Sequence, residues 1–129
     1  MWAVGEIAGP DPGSDTFTLI EHWNGSKWSI VPSANVAAEQ NYLKGVVAIS
    51  ASDVWAVGFT EVGGTPPDQG LIEHWNGKQW RLASFPQVNS DYRFYAVSAT
   101  SAADVWAVGL NGNANLPAPI EHWNGTQWS

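Results

Sequence analysis

Three times along this chain one series recurs. It runs Trp-Ala-Val-Gly, a loop that differs in each copy, Ile-Glu-His-Trp-Asn-Gly, and one more Trp after two further residues. The copies are Trp2–Trp28, Trp55–Trp80 and Trp106–Trp128. Trp2 and Trp55 are 53 residues apart, Trp55 and Trp106 are 51 apart, and the His residues of the copies repeat at 52 and 48. A self-similar period of this length marks a repeat architecture, in which one supersecondary unit cannot bury its own faces and needs neighbours.

Each copy reads as strands separated by turns. Residues 1–7 are apolar and strand-like, 8–17 are rich in Gly, Pro and Asp, and Thr18–Asn24 is the next strand. Asn24-Gly25 is a hairpin signal of the type I′ kind, with Ser26–Val31 returning as the partner strand. Pro32–Asn41 connects, and Ala37–Tyr42 has the composition of a single helical turn. Leu43–Ser50 is β-branched and nearly uncharged, which predicts a strand buried on both faces. Val54–Thr60, Leu71–Asn76 and Gln79–Ser84 follow, with a Gly/Pro loop at Glu61–Gly70 and a hairpin at Asn76-Gly77. Phe85–Asp91 connects to a second buried strand, Arg93–Ser98. Val105–Leu110, Ala118–Asn124 and Thr126–Ser129 complete the third copy, for eleven short strands and no helix. With strands lettered A to D within a unit, the chain reads B-C-D, A-B-C-D, A-B-C-D.

A four-stranded antiparallel meander repeated in this way is a propeller blade. The expected fold is therefore all-β, a partial β-propeller of about 2.75 blades. The blades are assigned to residues 1–31, 43–84 and 93–129 of one domain. Two open blade faces would remain, to be completed by more blades of a parent chain or by self-association.

The residues also carry a family resemblance. Asp-Val-Trp-Ala-Val-Gly (Asp53–Gly58 and Asp104–Gly109), followed by Ile-Glu-His-Trp-Asn-Gly-x-x-Trp, resembles the kelch pattern. It is more similar still to bacterial propeller-repeat proteins that use this Trp-rich blade. The kelch double glycine is single here (Gly5, Gly58, Gly109), its Tyr is replaced by Trp23, Trp75 and Trp123, and its turn is longer. The resemblance implies the fold and a secreted or cell-surface bacterial setting; the kelch partner chemistry does not carry over.

The balance of 12 acidic against 5 basic residues gives a net charge of −7, which argues against a nucleic-acid partner. With no Cys, disulfides, zinc thiolates and Cys nucleophiles are excluded. No apolar run approaches the length of a membrane span, so no membrane insertion is expected.

The nine Trp fall at three repeated positions: Trp2, Trp55, Trp106; Trp23, Trp75, Trp123; and Trp28, Trp80, Trp128. Sugar-binding platforms are one reading. Recurrence at the same place in every unit favours core packing, because a repeated scaffold needs the same contacts everywhere. Glu21-His22, Glu73-His74 and Glu121-His122 suggest metal or acid–base chemistry at first sight. Adjacent strand residues point to opposite faces, so the Glu and His of one pair cannot share a ligand. Glu73 and His74 are instead expected to support blade interfaces, a Glu of one blade meeting a His of the next. Asp53 and Asp104 read as turn residues bonding nearby backbone N–H groups. Asn24-Gly25-Ser26 and Asn124-Gly125-Thr126 match the glycosylation sequon, but Asn76-Gly77-Lys78 at the same turn does not, so the pattern is turn chemistry.

No nucleophile elbow, phosphate loop or close carboxylate pair is visible, and no catalytic residue, metal or cofactor is expected. The expected function is a non-catalytic binding or scaffold module. The alternatives are a lectin-like glycan binder and part of a propeller enzyme whose site lies elsewhere. The B–C loops (Glu6–Phe17, Glu61–Gly70, Asn111–Pro117) vary while the C–D turns do not, and variation on one face of a repeat protein marks a binding face. Candidate ligand residues are Glu6, Asp11, Asp15, Glu61, Asp68, Asn111 and Asn113. Glu39 and Asp91 add to an acidic face, with Lys27, Lys78 and Arg81 on the opposite side. The partner would be a protein with a basic patch, or a glycan.

Overall fold

The computed structural model describes residues 1–11, 13–37, 39–63, 65–86 and 91–129, with the backbone alone at 62, 65 and 66. Ten strands follow in chain order: β1 (Trp2–Ala8), β2 (Thr16–Trp23), β3 (Trp28–Ile30), β4 (Gln40–Ser50), β5 (Asp53–Val62), β6 (Thr65–Trp75), β7 (Trp80–Leu82), β8 (Tyr92–Ser101), β9 (Asp104–Asn111) and β10 (Ile120–Trp123). No helix occurs among the described residues. The strands form three antiparallel meanders: sheet 1 (β1-β2-β3), sheet 2 (β4-β5-β6-β7) and sheet 3 (β8-β9-β10). The expected eleventh strand is reduced to one bridge, Trp123 to Trp128.

Two local expectations are corrected. Of the helical turn expected over Ala37–Tyr42, Ala38 lies outside the described residues, and Gln40–Tyr42 is already strand β4. Buried Asn41 organises the connector instead. Its Nδ2 donates to the carbonyls of Val36 and Glu39, and its Oδ1 accepts from the Val36 N–H, local bonds that compete with helix. Of the expected loop Glu61–Gly70, Gly64 lies outside the described residues and most of the rest belongs to strands, β5 running to Val62 and β6 starting at Thr65. Val62 pairs with Thr65 around Gly63, whose φ of 57° lets the chain reverse, and pairing resumes at Gln69 after a register shift.

The turns opposite are uniform. Trp23 pairs with Trp28 and Trp75 with Trp80, so each turn spans four residues, not the two of a type I′ hairpin. Gly25, Gly77 and Gly125 have φ of 104°, 89° and 94°. In each turn the Asn Oδ1 accepts two backbone N–H groups: Ser26 and Lys27, Lys78 and Gln79, Thr126 and Gln127.

Apolar side chains meet between successive sheets. Trp2, Val4 and Ile20 of sheet 1 pack with Leu43, Val54, Ala56, Leu71, Trp75 and Trp80 of sheet 2. Trp55, Val57 and Ile72, on the other face of sheet 2, pack with Tyr92, Phe94, Val105, Ala107, Trp123 and Trp128. The strand buried on both faces is therefore β5, where every residue from Val54 to Thr60 is buried. The expectation had given that role to Leu43–Ser50 and Arg93–Ser98. In β4 and β8 burial stops after Leu43 and Phe94, and Lys44, Ala48, Tyr95, Ala96 and Ser98 are exposed. β5 has a strand on each side and a sheet on each face; β4 and β8 are the edges of their own sheets.

The nine Trp are correspondingly unequal. Trp55, Trp80 and Trp128 are buried, Trp2, Trp23, Trp75 and Trp123 are half-buried, and Trp28 and Trp106 are exposed. The last two lie on sheets 1 and 3, on the faces turned away from sheet 2.

The repeated glycine has a steric cause. Gly58 pairs with Leu43 and Gly109 with Phe94, each beside a register shift in the adjacent strand. A Cβ at Gly58 would overlap the carbonyl oxygen of Tyr42, and one at Gly109 that of Arg93. Gly5 lies in β1, the free edge of sheet 1, and a Cβ there meets nothing within 4 Å. Gly58→Ala and Gly109→Ala should therefore each cost about 2–3 kcal/mol through overpacking against backbone. Gly5→Ala should stay within about 0.5 kcal/mol of the parent. Urea denaturation of the three variants checks this, and equal losses at all three positions would refute the steric account.

Candidate functional site

The antiparallel order places the β1–β2, β5–β6 and β9–β10 loops and the connectors that lead into β4 and β8 on one edge of the sheets. The Asn-Gly turns stand on the other. Of the seven candidate ligand residues, Asp68 and Asn111 are buried strand residues of β6 and β9 and not loop residues. Asp68 forms an ion pair with Arg93 of sheet 3, which also lies 3.5 Å from Asp91. Burial pushes the Asp68 carboxyl up, and Arg93 opposes it. Asn111 and Asn113 shape their own loop, each accepting the N–H two residues on, that of Asn113 and of Asn115. Glu6 is paired with Lys44 at 3.1 Å. Asp15 accepts from Gln40 Nε2 at 3.3 Å. Asp11 is exposed and Glu61 half-buried.

The edge is thus less one-sided in charge than expected, because Lys44 and Arg93 belong to it. They also frame a group that sequence reasoning missed. Tyr42 and Phe59 face each other across β4 and β5 and stack at 4.9 Å. The Lys44 ammonium lies 5.2 Å from the Tyr42 ring centre and 5.7 Å from that of Phe59. The Arg93 guanidinium lies 5.2 Å from Phe59, and exposed Tyr95 is 6.0 Å from the same ring. Cations this close to aromatic rings are attracted by the ring quadrupole. A signal was present: Tyr42-Leu43-Lys44 and Arg93-Phe94-Tyr95 hold equivalent registers opposite Gly58 and Gly109, with aromatic and cation exchanged. Sheets 1, 2 and 3 all contribute: Glu6, then Tyr42, Lys44, Phe59 and Asp68, then Asp91-flanked Arg93 and Tyr95.

A concavity of about 430 Å³ opens between sheets 2 and 3 towards the opposite edge. Trp55, His74, Arg81, Trp123, Thr126 and Gln127 are among its walls.

The Glu-His pairs do not meet across an interface as expected. His74 Nε2 bonds Asp53 Oδ1 at 2.8 Å within sheet 2, and His122 Nε2 bonds Asp104 Oδ1 at 2.9 Å within sheet 3. Each His ring also stacks on a Trp of its own sheet, Trp55 at 4.1 Å and Trp106 at 4.2 Å. Asp53 and Asp104, expected to hold backbone N–H groups, instead hold side chains. Asp104 additionally accepts from Thr100 Oγ1 and Trp106 Nε1, and its carboxyl is held low by Thr100 first, then His122 and Trp106. The cause is register: Trp55 pairs with His74 and Trp106 with His122, and each Asp lies two residues before its Trp on the same face.

Glu73 does reach between sheets, but towards another group, and Glu121 stays within its own. Fully buried Glu73 accepts the Ala34 N–H of the connector from sheet 1 at 3.1 Å. Glu121 accepts from Tyr92 Oη at 2.7 Å within sheet 3. Burial and then Glu121 push the Tyr92 hydroxyl up.

Among the described residues no group of three or more His, Cys, Asp and Glu is placed to hold a metal, and no helix is long and apolar enough to cross a membrane. Comparison with protein families, curated proteins and solved structures finds no match to this chain.

Burial raises the Glu73 carboxyl from 4.5 to about 7, the Ala34 bond opposing it. Below pH 4.5 both folded and unfolded chains carry the proton. Between there and pH 7 the unfolded chain loses it first, so stability falls as pH rises, and above about 7 the loss is complete. The expected loss is on the order of 3 kcal/mol. Glu73→Gln should flatten this slope and be the more stable chain at alkaline pH, measured by urea denaturation across the range. An unchanged slope would show that the proton is taken up elsewhere.

Proposed function

We propose that this chain is a run of propeller blades acting as a non-catalytic binding or scaffold module, with its ligand taken at the edge that carries the variable loops. The observation that carries this reading is the contrast between the two edges. One edge repeats a single turn three times, with the same Asn side-chain bonds and the same positive-φ Gly. The other is built differently in each sheet: a loop closed by Gly9 N–H on Asp15, a tight reversal at Gly63, and a chain of Asn-centred turns from Asn111 to Asn115. A scaffold with uniform packing and one diversified edge separates folding from recognition.

The chemistry of that edge selects the ligand class. Asp11, Asp15, Glu39 and Glu61 add acidic charge to the same edge, while Lys44 and Arg93 are already engaged by Glu6 and Asp68. A basic segment of a protein partner suits such a rim. The exposed Tyr95 ring beside paired charges also suits a sugar, which supports the lectin-like reading as the second.

Arrays of immobilised glycans and of Lys/Arg-rich peptides test both readings. With the best binder from either, Tyr95→Ala or Asp11→Lys with Glu61→Lys should weaken binding about tenfold or more, a change of 1.4 kcal/mol or above. Lys78→Ala and Arg81→Ala should leave it unchanged. The reverse pattern would move the site to the groove by Arg81 and overturn the assignment.

A further inference from the structure

We infer that the outer face of sheet 3 docks a second copy of this chain, which seats its Trp23–Trp28 pair around Trp106. The inference rests on how the two internal interfaces are made and not on where a ligand binds. In the first, Trp2 of sheet 1 lies 5.2 Å from Trp75 and 5.4 Å from Trp80 of sheet 2, at interplanar angles of 55° and 86°. In the second, Trp55 lies 5.0 Å from Trp123 and 5.1 Å from Trp128, at 50° and 82°. One Trp therefore enters the space between the two Trp of the next sheet, tilted to one and edge-on to the other, in the same geometry twice.

Both halves of a third such contact are present, apart, at the two ends of the stack. On sheet 1, Trp23 and Trp28 stand 5.7 Å apart at 47°. The occupied pairs have 6.0 Å at 44° and 6.0 Å at 48°. On sheet 3, Trp106 stacks on His122 at 4.2 Å and 24°, as Trp55 stacks on His74 at 4.1 Å and 27°. Neither half would have to rearrange. Around Trp106 the apolar face continues: Trp106, Val108 and Ile120 are 44%, 42% and 59% exposed, where their counterparts Trp55, Val57 and Ile72 are fully buried by sheet 3. On sheet 1 Trp28 is 42% exposed, where Trp80 and Trp128 are buried. Exposed apolar area of this kind, rimmed by polar residues, marks an interaction surface.

The occupant follows from complementarity. The face around Trp106 fits a Trp pair held on a four-residue Asn-Gly turn, and sheet 1 of another copy displays that element. The contact joins two different patches, so it is heterologous and runs head to tail, closing into a ring where the rotation allows.

Sedimentation of the full chain, two end variants and their mixture tests this. The parent should sediment as a dimer or larger assembly over a wide concentration range. Trp106→Glu and Trp28→Glu should each sediment as monomers with the parent's far-ultraviolet circular dichroism. Mixed in equal amounts they should form a 1:1 dimer, because each retains the half that the other lacks. Ile120→Lys changes an exposed side chain, and should also give a folded monomer should Trp106→Glu fail to fold. A monomeric parent overturns the inference and leaves some other occupant, such as a further repeat or an unrelated protein, for the face. Variants that associate as the parent does, or a mixture that stays monomeric, overturn it equally.

Discussion

A Trp from one sheet entering between two Trp of the next is the contact on which this structure depends. A single sheet of three or four strands has two faces and little means of covering either. The indole supplies more area than any other side chain, and a buried Trp replaced by Ala typically costs about 3–5 kcal/mol. Because Trp55 and Val57 point one way and Val54 and Ala56 the other, β5 serves both interfaces at once. The other features of the repeat act to hold these rings in place. The Asn-Gly turn sets Trp75 across from Trp80, the His ring backs Trp55, and Asp53 fixes the His.

Polar groups within the interfaces have a different task. The connector from β3 to β4 must leave one sheet and enter the next without unpaired backbone groups. Glu73 takes the Ala34 N–H there, and Asn41 takes both groups of Val36. Thr18 is bound to Ser33, Ala34 and Asn35 of the same segment. A buried carboxyl with its proton affinity raised is the consequence of using Glu for this purpose where water is excluded. Glu121 is engaged by a tyrosine hydroxyl instead, so one repeated residue serves two different partners.

The two edges divide the remaining work. Turns whose bonds are all local can be repeated without change, since they need only Asn and Gly at the right places. The opposite edge is drawn together by contacts between sheets: Lys44 of sheet 2 on Glu6 of sheet 1, and Arg93 of sheet 3 on Asp68 of sheet 2. The Lys44–Glu6 pair is partly exposed, and pairs of that kind contribute little to stability, whereas Asp68 of the second pair is buried. Their effect is to consume the two cations of an otherwise acidic edge and to set Tyr42, Phe59 and Tyr95 side by side.

By itself the sequence determined what is periodic and local. The three units, their antiparallel strands, the Asn-Gly turns and the opposition of Glu73 to His74 all follow from spacing and from the two-residue alternation of a strand. Tertiary structure decided which faces meet. That Trp80 is buried and Trp28 exposed depends on a neighbouring sheet, not on their identical local sequence. That His74 finds Asp53 and not a glutamate depends on the pairing register of β5 with β6, and that β5 and β6 extend to Val62 and Thr65 depends on the reversal at Gly63. The cluster of Tyr42, Lys44, Phe59, Arg93 and Tyr95 escaped notice because its members come from different sheets. The alternation of a strand gives each side chain a face, but only the docking of one sheet on another gives that face a partner.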